Sequence, residues 1–145
     1  MKSKLLTSFL LLQFFLCCNN ADHEHSSTAR SENDIDAARN FIQAALDGNY
    51  RKARTYALAD SFNQQYVDLF ERIYKERMNP EDKRGYREAS INIHSVTPLN
   101  DSVTLINFSN SYKNKNDSLK VVRLNGQWLV DLKYSFYQKP DSLPW

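Results

Sequence analysis

Beginning at Asp34, apolar residues fall at steps of three and four. Ile35, Ala38, Phe41, Ile42, Ala45 and Leu46 share one face, with Arg39, Asn40 and Gln43 between them. That period predicts an amphipathic helix with one side on a core. Asp34 and Asp36 suit its N-terminus, where carboxylates meet the positive end of the helix dipole, and Gly48-Asn49 supplies a stop. A second, short helix carries Tyr50, Ala53, Ala57 and Leu58 inward, with Arg51, Lys52 and Arg54 outward. Asp60 or Ser61 caps a third, in which Phe62, Tyr66, Leu69, Phe70, Ile73 and Arg77 recur at helical spacing. Asn79-Pro80-Glu81-Asp82 reads as a cap with proline at the first helical position, opening one more turn toward Tyr86.

Near Ala89 the period changes from three-or-four to two. Ala89, Ile91 and Ile93 alternate with Ser90, Asn92 and His94, the pattern of a half-buried strand. Pro98-Leu99-Asn100-Asp101 is expected to turn. A strand over 103–112 follows, with Thr104, Ile106, Phe108 and Tyr112 on one side, then a polar loop over 113–117 and a third strand over 119–124. Asn125-Gly126 is the strongest hairpin signal in the chain, because a type I′ turn needs positive φ at both positions. The return strand sets Trp128, Val130 and Leu132 against Leu129, Asp131 and Lys133. Helices first and consecutive antiparallel strands afterwards define an α+β domain, with helices packed on one face of a curved sheet of about four strands.

Ahead of this domain the pattern is of another kind. Lys2 and Lys4 introduce residues 5–16 (LLTSFLLLQFFL), which are almost wholly apolar and too short to cross a hydrocarbon core roughly 30 Å thick as a helix. Cys17 and Cys18 follow, then a polar stretch, 19–33 (NNADHEHSSTARSEN), that holds no hydrophobic residue larger than alanine. Such a stretch cannot bury enough apolar surface to offset its ordering entropy and reads as a flexible tether. His23-Glu24-His25 lacks the three or four convergent ligands of a metal site, so no metal is assigned. A charged start, an apolar run and a cysteine at its end resemble a bacterial lipoprotein signal. The resemblance implies a signal peptide over 1–17, a lipidated Cys18 (with Cys17 as the alternative acceptor) and a tether over 18–33. With Asn19 next to the acceptor, it also implies outer-membrane sorting in a Gram-negative host.

Composition narrows the function classes. The chain has 145 residues, enough for one domain, and its 8 Tyr, 8 Phe and 2 Trp argue against a mainly disordered polymer. Removing the signal takes Lys2 and Lys4 from the 19 basic residues and leaves them equal in number to the 17 acidic ones. A neutral domain has no general electrostatic reason to seek nucleic acid, and none is expected as a partner. Three glycines leave no room for a phosphate-binding loop, and the hydrolase-elbow, zinc-protease and Cys-x-x-Cys patterns are all missing, so no cofactor is assigned.

A second resemblance covers the domain. Residues 35–56 (IDAARNFIQAALDGNYRKARTY) look like the opening of nuclear-transport-factor-2-like domains: a helix, a Gly-Asn break, an aromatic and a Lys-Ala-rich second helix. Asn125-Gly126-Gln127-Trp128-Leu129-Val130 is similar to their closing hairpin. The likeness spans 34–137 and leaves 138–145 as a C-terminal tail. It implies a sheet bent into a cone over the helices, with a pocket at its mouth for which Tyr66, Tyr74, His94, Phe108 and Trp128 are candidates. His94, Tyr66, Tyr74 and Asp131 are also the acid-base candidates. His94 is a lone histidine on the polar phase of its strand, the tyrosines read as buried rings with wet hydroxyls, and Asp131 falls on the outward phase of its strand, where a cross-strand Lys or Arg could pair with it. No catalytic residue is assigned. Two readings stand: a lipid-anchored envelope domain that binds a protein or a small hydrophobic ligand without chemistry, or a cone-fold enzyme, isomerase- or dehydratase-like, acting on a small hydrophobic molecule. Trp145 is expected to fold back onto the domain rather than contact a partner.

Overall fold

The structure is a computed structural model and describes residues 31–138. The signal sequence, Cys17, Cys18 and the tail over 139–145 lie outside the described residues.

The elements are helices α1 (Asp34–Leu46), α2 (Tyr50–Tyr56), α3 (Ser61–Glu76) and α4 (Pro80–Arg87), strands β1 (Ile91–Asn100), β2 (Val103–Asn110), β3 (Asp117–Leu124) and β4 (Gln127–Asp131), and a last short helix α5 (Lys133–Gln138). Every helix from α1 to α4 starts on a side-chain cap. Asn33, Asn49, Asp60 and Asn79 each accept a hydrogen bond from the backbone N–H three residues on. The domain therefore begins before its first helix: Asn33 caps α1, and Ser31 is buried with its hydroxyl 3.4 Å from the Asn40 amide.

The end of α1 is a Schellman motif. Gly48 N–H donates to Ala45 C=O and Asn49 N–H to Ala44 C=O, with Gly48 at φ +74°. A β-carbon on Gly48 would also stand 2.4 Å from the Tyr74 ring. Gly48→Ala is expected to lower the unfolding free energy by about 2 kcal/mol through combined backbone strain and displacement of Tyr74, read as a lower urea midpoint.

The strands form an antiparallel meander in the order β1-β2-β3-β4. Asn125 and Gly126 take φ 50° and 78°, the positive pair that the hairpin signal demands. The inner face carries Thr104, Ile106, Phe108, Leu119, Val121 and Val130, all at 0–1% exposure. Helix α1 lies across this face, α2 packs beside it and against β4, and α3 packs on α2. At the junction the Asp34 carboxylate accepts from the Thr104 hydroxyl at 2.7 Å, fixing the start of α1 on β2.

Four details differ from the sequence reading. Strand β1 starts at Ile91 and continues through Pro98 and Leu99; the turn itself is Asp101-Ser102. Proline is tolerated there because β1 is an edge strand, where a missing N–H costs no ladder bond. Register shifts at His94 and Leu99 add bulges that bend β1 further. Strand β2 ends at Asn110, so Tyr112 lies in the following turn and not on the strand face. Helix α3 buries Asn63, Val67 and Phe70, whereas Phe62, Tyr66, Leu69 and Ile73 are half-buried and Arg77 is exposed. Helix α5 is an addition: a single short element beside β3, with the Ser135 hydroxyl donating to Ser118 C=O at 2.7 Å. The other margin of the sheet is partly covered, since Leu58 N–H donates to Val130 C=O at 2.9 Å and Ala57 bridges Val130 in parallel.

Candidate functional site

The sequence nominated five pocket residues, and the fold does not gather them. Phe108 is 1% exposed on the inner face of β2. Trp128 shares that inner face but pairs with Arg123, whereas Phe108 pairs with Asp117, and the six-residue step from Asp117 to Arg123 along β3 separates them by roughly 20 Å. The Arg123 guanidinium stands 5.9 Å from the Trp128 ring. Tyr74 lies over Gly48 and meets Tyr50 edge-on at 5.7 Å, with the Lys83 ammonium 5.3 Å from its ring. Tyr66 sits on another side of α3, 4.6 Å from the Phe62 ring.

His94 is exposed, in the bulge of β1. Its Nε2 lies 2.9 Å from the hydroxyl of Ser109, a residue that alternates with Phe108 and therefore faces away from α1. The bond ties the extra residue of the bulge to the neighbouring strand. Beside it Asn107 links Ser95 and Ser118 across three strands, so this part of the outer face is a polar ladder.

Asp131 finds the cross-strand lysine that its strand position suggested, but at 7% exposure it is buried rather than outward. It stands opposite Lys120 in register and pairs with it at 3.2 Å. It also belongs to a network that sequence reasoning missed. Asn63, fully buried, accepts from Leu132 N–H at 2.7 Å through Oδ1, while its amide nitrogen donates to Asp60 at 2.8 Å and lies 3.5 Å from Asp131. Lys133 reaches Asp60 at 3.1 Å. A capping Asp three residues before an Asn within an amphipathic helix was the only available signal, and it reads as an ordinary helix start.

A second cluster joins α4 to the turn after β2. One oxygen of Asp82 accepts from the Tyr112 hydroxyl at 2.8 Å and the Lys113 ammonium at 3.0 Å, and the other accepts from Asn79 at 2.9 Å. Tyr112 meets Tyr86 edge-on at 5.1 Å and lies directly over Gly85, where a β-carbon would come within 2.3 Å of its ring. Burial, more than any neighbour, keeps the phenols of Tyr50 and Tyr86 protonated above the usual tyrosine value, and at Tyr112 the bond to Asp82 does so.

The carboxyls of Asp60 and Asp82 are both held below the usual range. Burial opposes this at Asp60 but is outweighed by the bonds from Asn63 and Lys133; at Asp82 the Tyr112 bond leads, followed by Lys113. A depressed folded-state value gives stability that is present above the unfolded value of about 3.9 and is lost as pH falls through the folded one. The urea midpoint is therefore expected to stay flat from neutral pH to about 5 and to decline below about 4, with a shallower acid limb in Asp60→Asn and Asp82→Asn.

Among the described residues, a groove and an apolar patch bear on contact with other molecules. Along α3 a groove of about 420 Å³ is lined by Phe62, Gln65, Tyr66, Asp68, Leu69 and Arg72. On the outer sheet face, at its hairpin end, Val103, Leu105, Val122 and Leu129 are half-buried, and Leu124 is 52% exposed. Leu99, in the edge bulge, is 56% exposed. The basic cluster on α2 is divided: Arg51 and Lys52 face solvent, while Arg54 pairs with Asp68 at 2.6 Å and Glu71 at 3.3 Å. Among the described residues no group of three or more His, Cys, Asp or Glu side chains is placed to hold a metal, and no helix is long and apolar enough to cross a membrane.

Fold and surface together define an α+β domain of helices followed by an open four-stranded antiparallel meander. Compared with protein-family models, curated proteins and solved structures, the chain matches none.

Proposed function

We propose that this is a lipid-anchored cell-envelope protein whose nuclear-transport-factor-2-like domain works by binding, without chemistry of its own. The observation that carries the binding reading is where the domain spends its apolar residues. The inner face of the sheet is packed against α1, while a cluster of leucines and valines at the hairpin end of the outer face is left half-covered or exposed. An apolar patch beside a polar ladder suits a protein partner in the same envelope. The acid-base candidates point elsewhere: Asp131 is engaged by Lys120, and His94 is exposed in a bulge.

The address rests on the N-terminal sequence, a charged start and an apolar run ending on Cys17-Cys18, with outer-membrane sorting in a Gram-negative host as its consequence. Two or three acyl chains on Cys18 would hold the domain stably at a bilayer, because each buried methylene contributes about 0.8 kcal/mol. Metabolic labelling with a fatty-acid probe tests this. Label is expected on the wild type and on Cys17→Ser, and none on Cys18→Ser; label that survives loss of both cysteines sinks the anchor. For the binding reading, photo-crosslinkers at Leu99 and Leu124 in envelopes are expected to give one discrete adduct that Leu105→Arg abolishes, while a crosslinker at Arg51 gives none. Equal adducts at all three positions count against it.

A further inference from the structure

The ion cluster that ties α4 to the turn after β2 borders a notch of about 140 Å³. Its walls are Ile73, Arg77 and Met78 at the end of α3, Asp82 and Tyr86 on α4, and Lys113. Sites for drug-sized ligands hold about 300–1,000 Å³, so this one takes only a small molecule or the end group of a larger one. Ile73, Met78 and the Tyr86 ring make an apolar side, and the unbranched thioether of Met78 adapts to the shape it meets. Arg77, Lys113 and Asp82 make a charged side.

The charges do not cancel. Asp82 is already engaged on both oxygens, one by the Tyr112 hydroxyl and the Lys113 ammonium, the other by the Asn79 amide. That bond fixes Lys113, whose ammonium also lies 4.6 Å from the Tyr112 ring and 5.7 Å from the Tyr86 ring. An ammonium has three donors, and Asp82 takes one of them. The Arg77 guanidinium has no ion pair among the described residues. Two cations against one carboxylate leave a single positive charge over, which one bound carboxylate would neutralise. A dianion would overshoot, and an acid without an apolar body would leave Ile73 and Met78 uncovered.

We propose that this notch binds a monocarboxylate joined to a compact apolar group. Arg77 grips the carboxylate through its planar fork, Lys113 adds a further donor, and Ile73, Met78 and Tyr86 cover the apolar part. A free short-chain acid and the C-terminal end of a peptide present this same chemistry. Occupancy clasps the end of α3, α4 and the turn after β2 together. The inference rests on neither the lipid anchor nor the outer sheet face.

The test titrates the full chain in detergent with isocaproate, which is leucine without its amino group, and reads the Met78 methyl group by carbon-13 labelling of methionine. Met1 is the chain's other methionine, so Met78→Leu assigns the signal. A saturable shift with a millimolar dissociation constant is expected, which is what so few non-hydrogen atoms can supply. Isocaproamide, with the shape but not the charge, should bind about tenfold more weakly or worse, and so should isocaproate to Arg77→Gln. Arg77 is exposed, so that variant is expected to keep the wild-type urea midpoint. Arg84→Gln, an α4 cation outside the notch, should bind as wild type does. Acetyl-Gly-Gly-Leu separates the sources: tighter binding than isocaproate assigns a chain end, and equal or weaker binding a free acid. No saturable shift with either probe overturns the proposal. Amide and acid binding alike overturns it by removing the role of charge, and equal losses in Arg77→Gln and Arg84→Gln overturn it by leaving only a general salt effect.

Discussion

Replacing Asn63 with leucine is expected to lower the unfolding free energy by about 3 kcal/mol, although leucine is the more hydrophobic residue at a fully buried site. The amide side chain is the acceptor for Leu132 N–H and a donor to Asp60. Leucine would strand that N–H without water or a partner and would remove a hydrogen bond from the carboxylate that caps α3. Asn63→Asp gives a sharper signature. It keeps the shape and an oxygen for Leu132, but sets a third carboxylate beside Asp60 and Asp131, at distances now spanned by 2.8 and 3.5 Å contacts. The folded-state pKa of the new acid must rise above its unfolded value. Its penalty is thus full at neutral pH and is relieved as pH falls through the raised value, so this variant alone should gain stability relative to wild type on mild acidification. Urea titrations of both variants at pH 7 and pH 5 check both statements.

Phe108→Ala is expected to cost about 4 kcal/mol, a large share of the roughly 5–15 kcal/mol that holds a domain together. Phe108 is 1% exposed within the core on the inner face of β2, the strand to which the Asp34–Thr104 bond ties α1, so truncation leaves a cavity that the pinned helix cannot collapse to fill. The measurement is the urea midpoint, with enhanced binding of an apolar dye at intermediate denaturant. An unchanged midpoint would mean that Phe108 lines an open space, as a pocket residue would.

How much of this was legible beforehand depended on which force set each element. The faces and limits of α1, the Asn125-Gly126 turn and the inward phase of β2 followed from period and turn chemistry, because local sequence and tertiary packing agree there. At α3 they disagree. Phe62, Tyr66 and Leu69 outweigh Asn63 on any hydrophobic reckoning, yet the core takes Asn63 because the backbone at Leu132 needs an acceptor. A non-local requirement of that kind leaves no mark on helical periodicity. Pro98 was misleading for a related reason: a proline reads as a turn until the strand is known to lie at an edge. Tyr66, Tyr74, His94, Phe108 and Trp128 were nominated one by one from chemistry and phase. Their dispersal over two faces of the sheet and two sides of α3 depends on bulges and register, which single-residue reasoning does not see. For Asp131 the cross-strand lysine follows from strand pairing, but its burial at 7% exposure does not, since it depends on α3 bringing Asn63 against it.

Both margins of the sheet carry obstacles. On one side lie a ring nitrogen without hydrogen and two interruptions of the ladder, and on the other Leu58 already occupies a carbonyl. Were such domains held in one plane, as the proposed anchor would hold them, they would collide flank to flank, the geometry in which cross-β ribbons nucleate. With margins like these, main-chain zippering has little to grip, and any contact at the flanks falls to side chains.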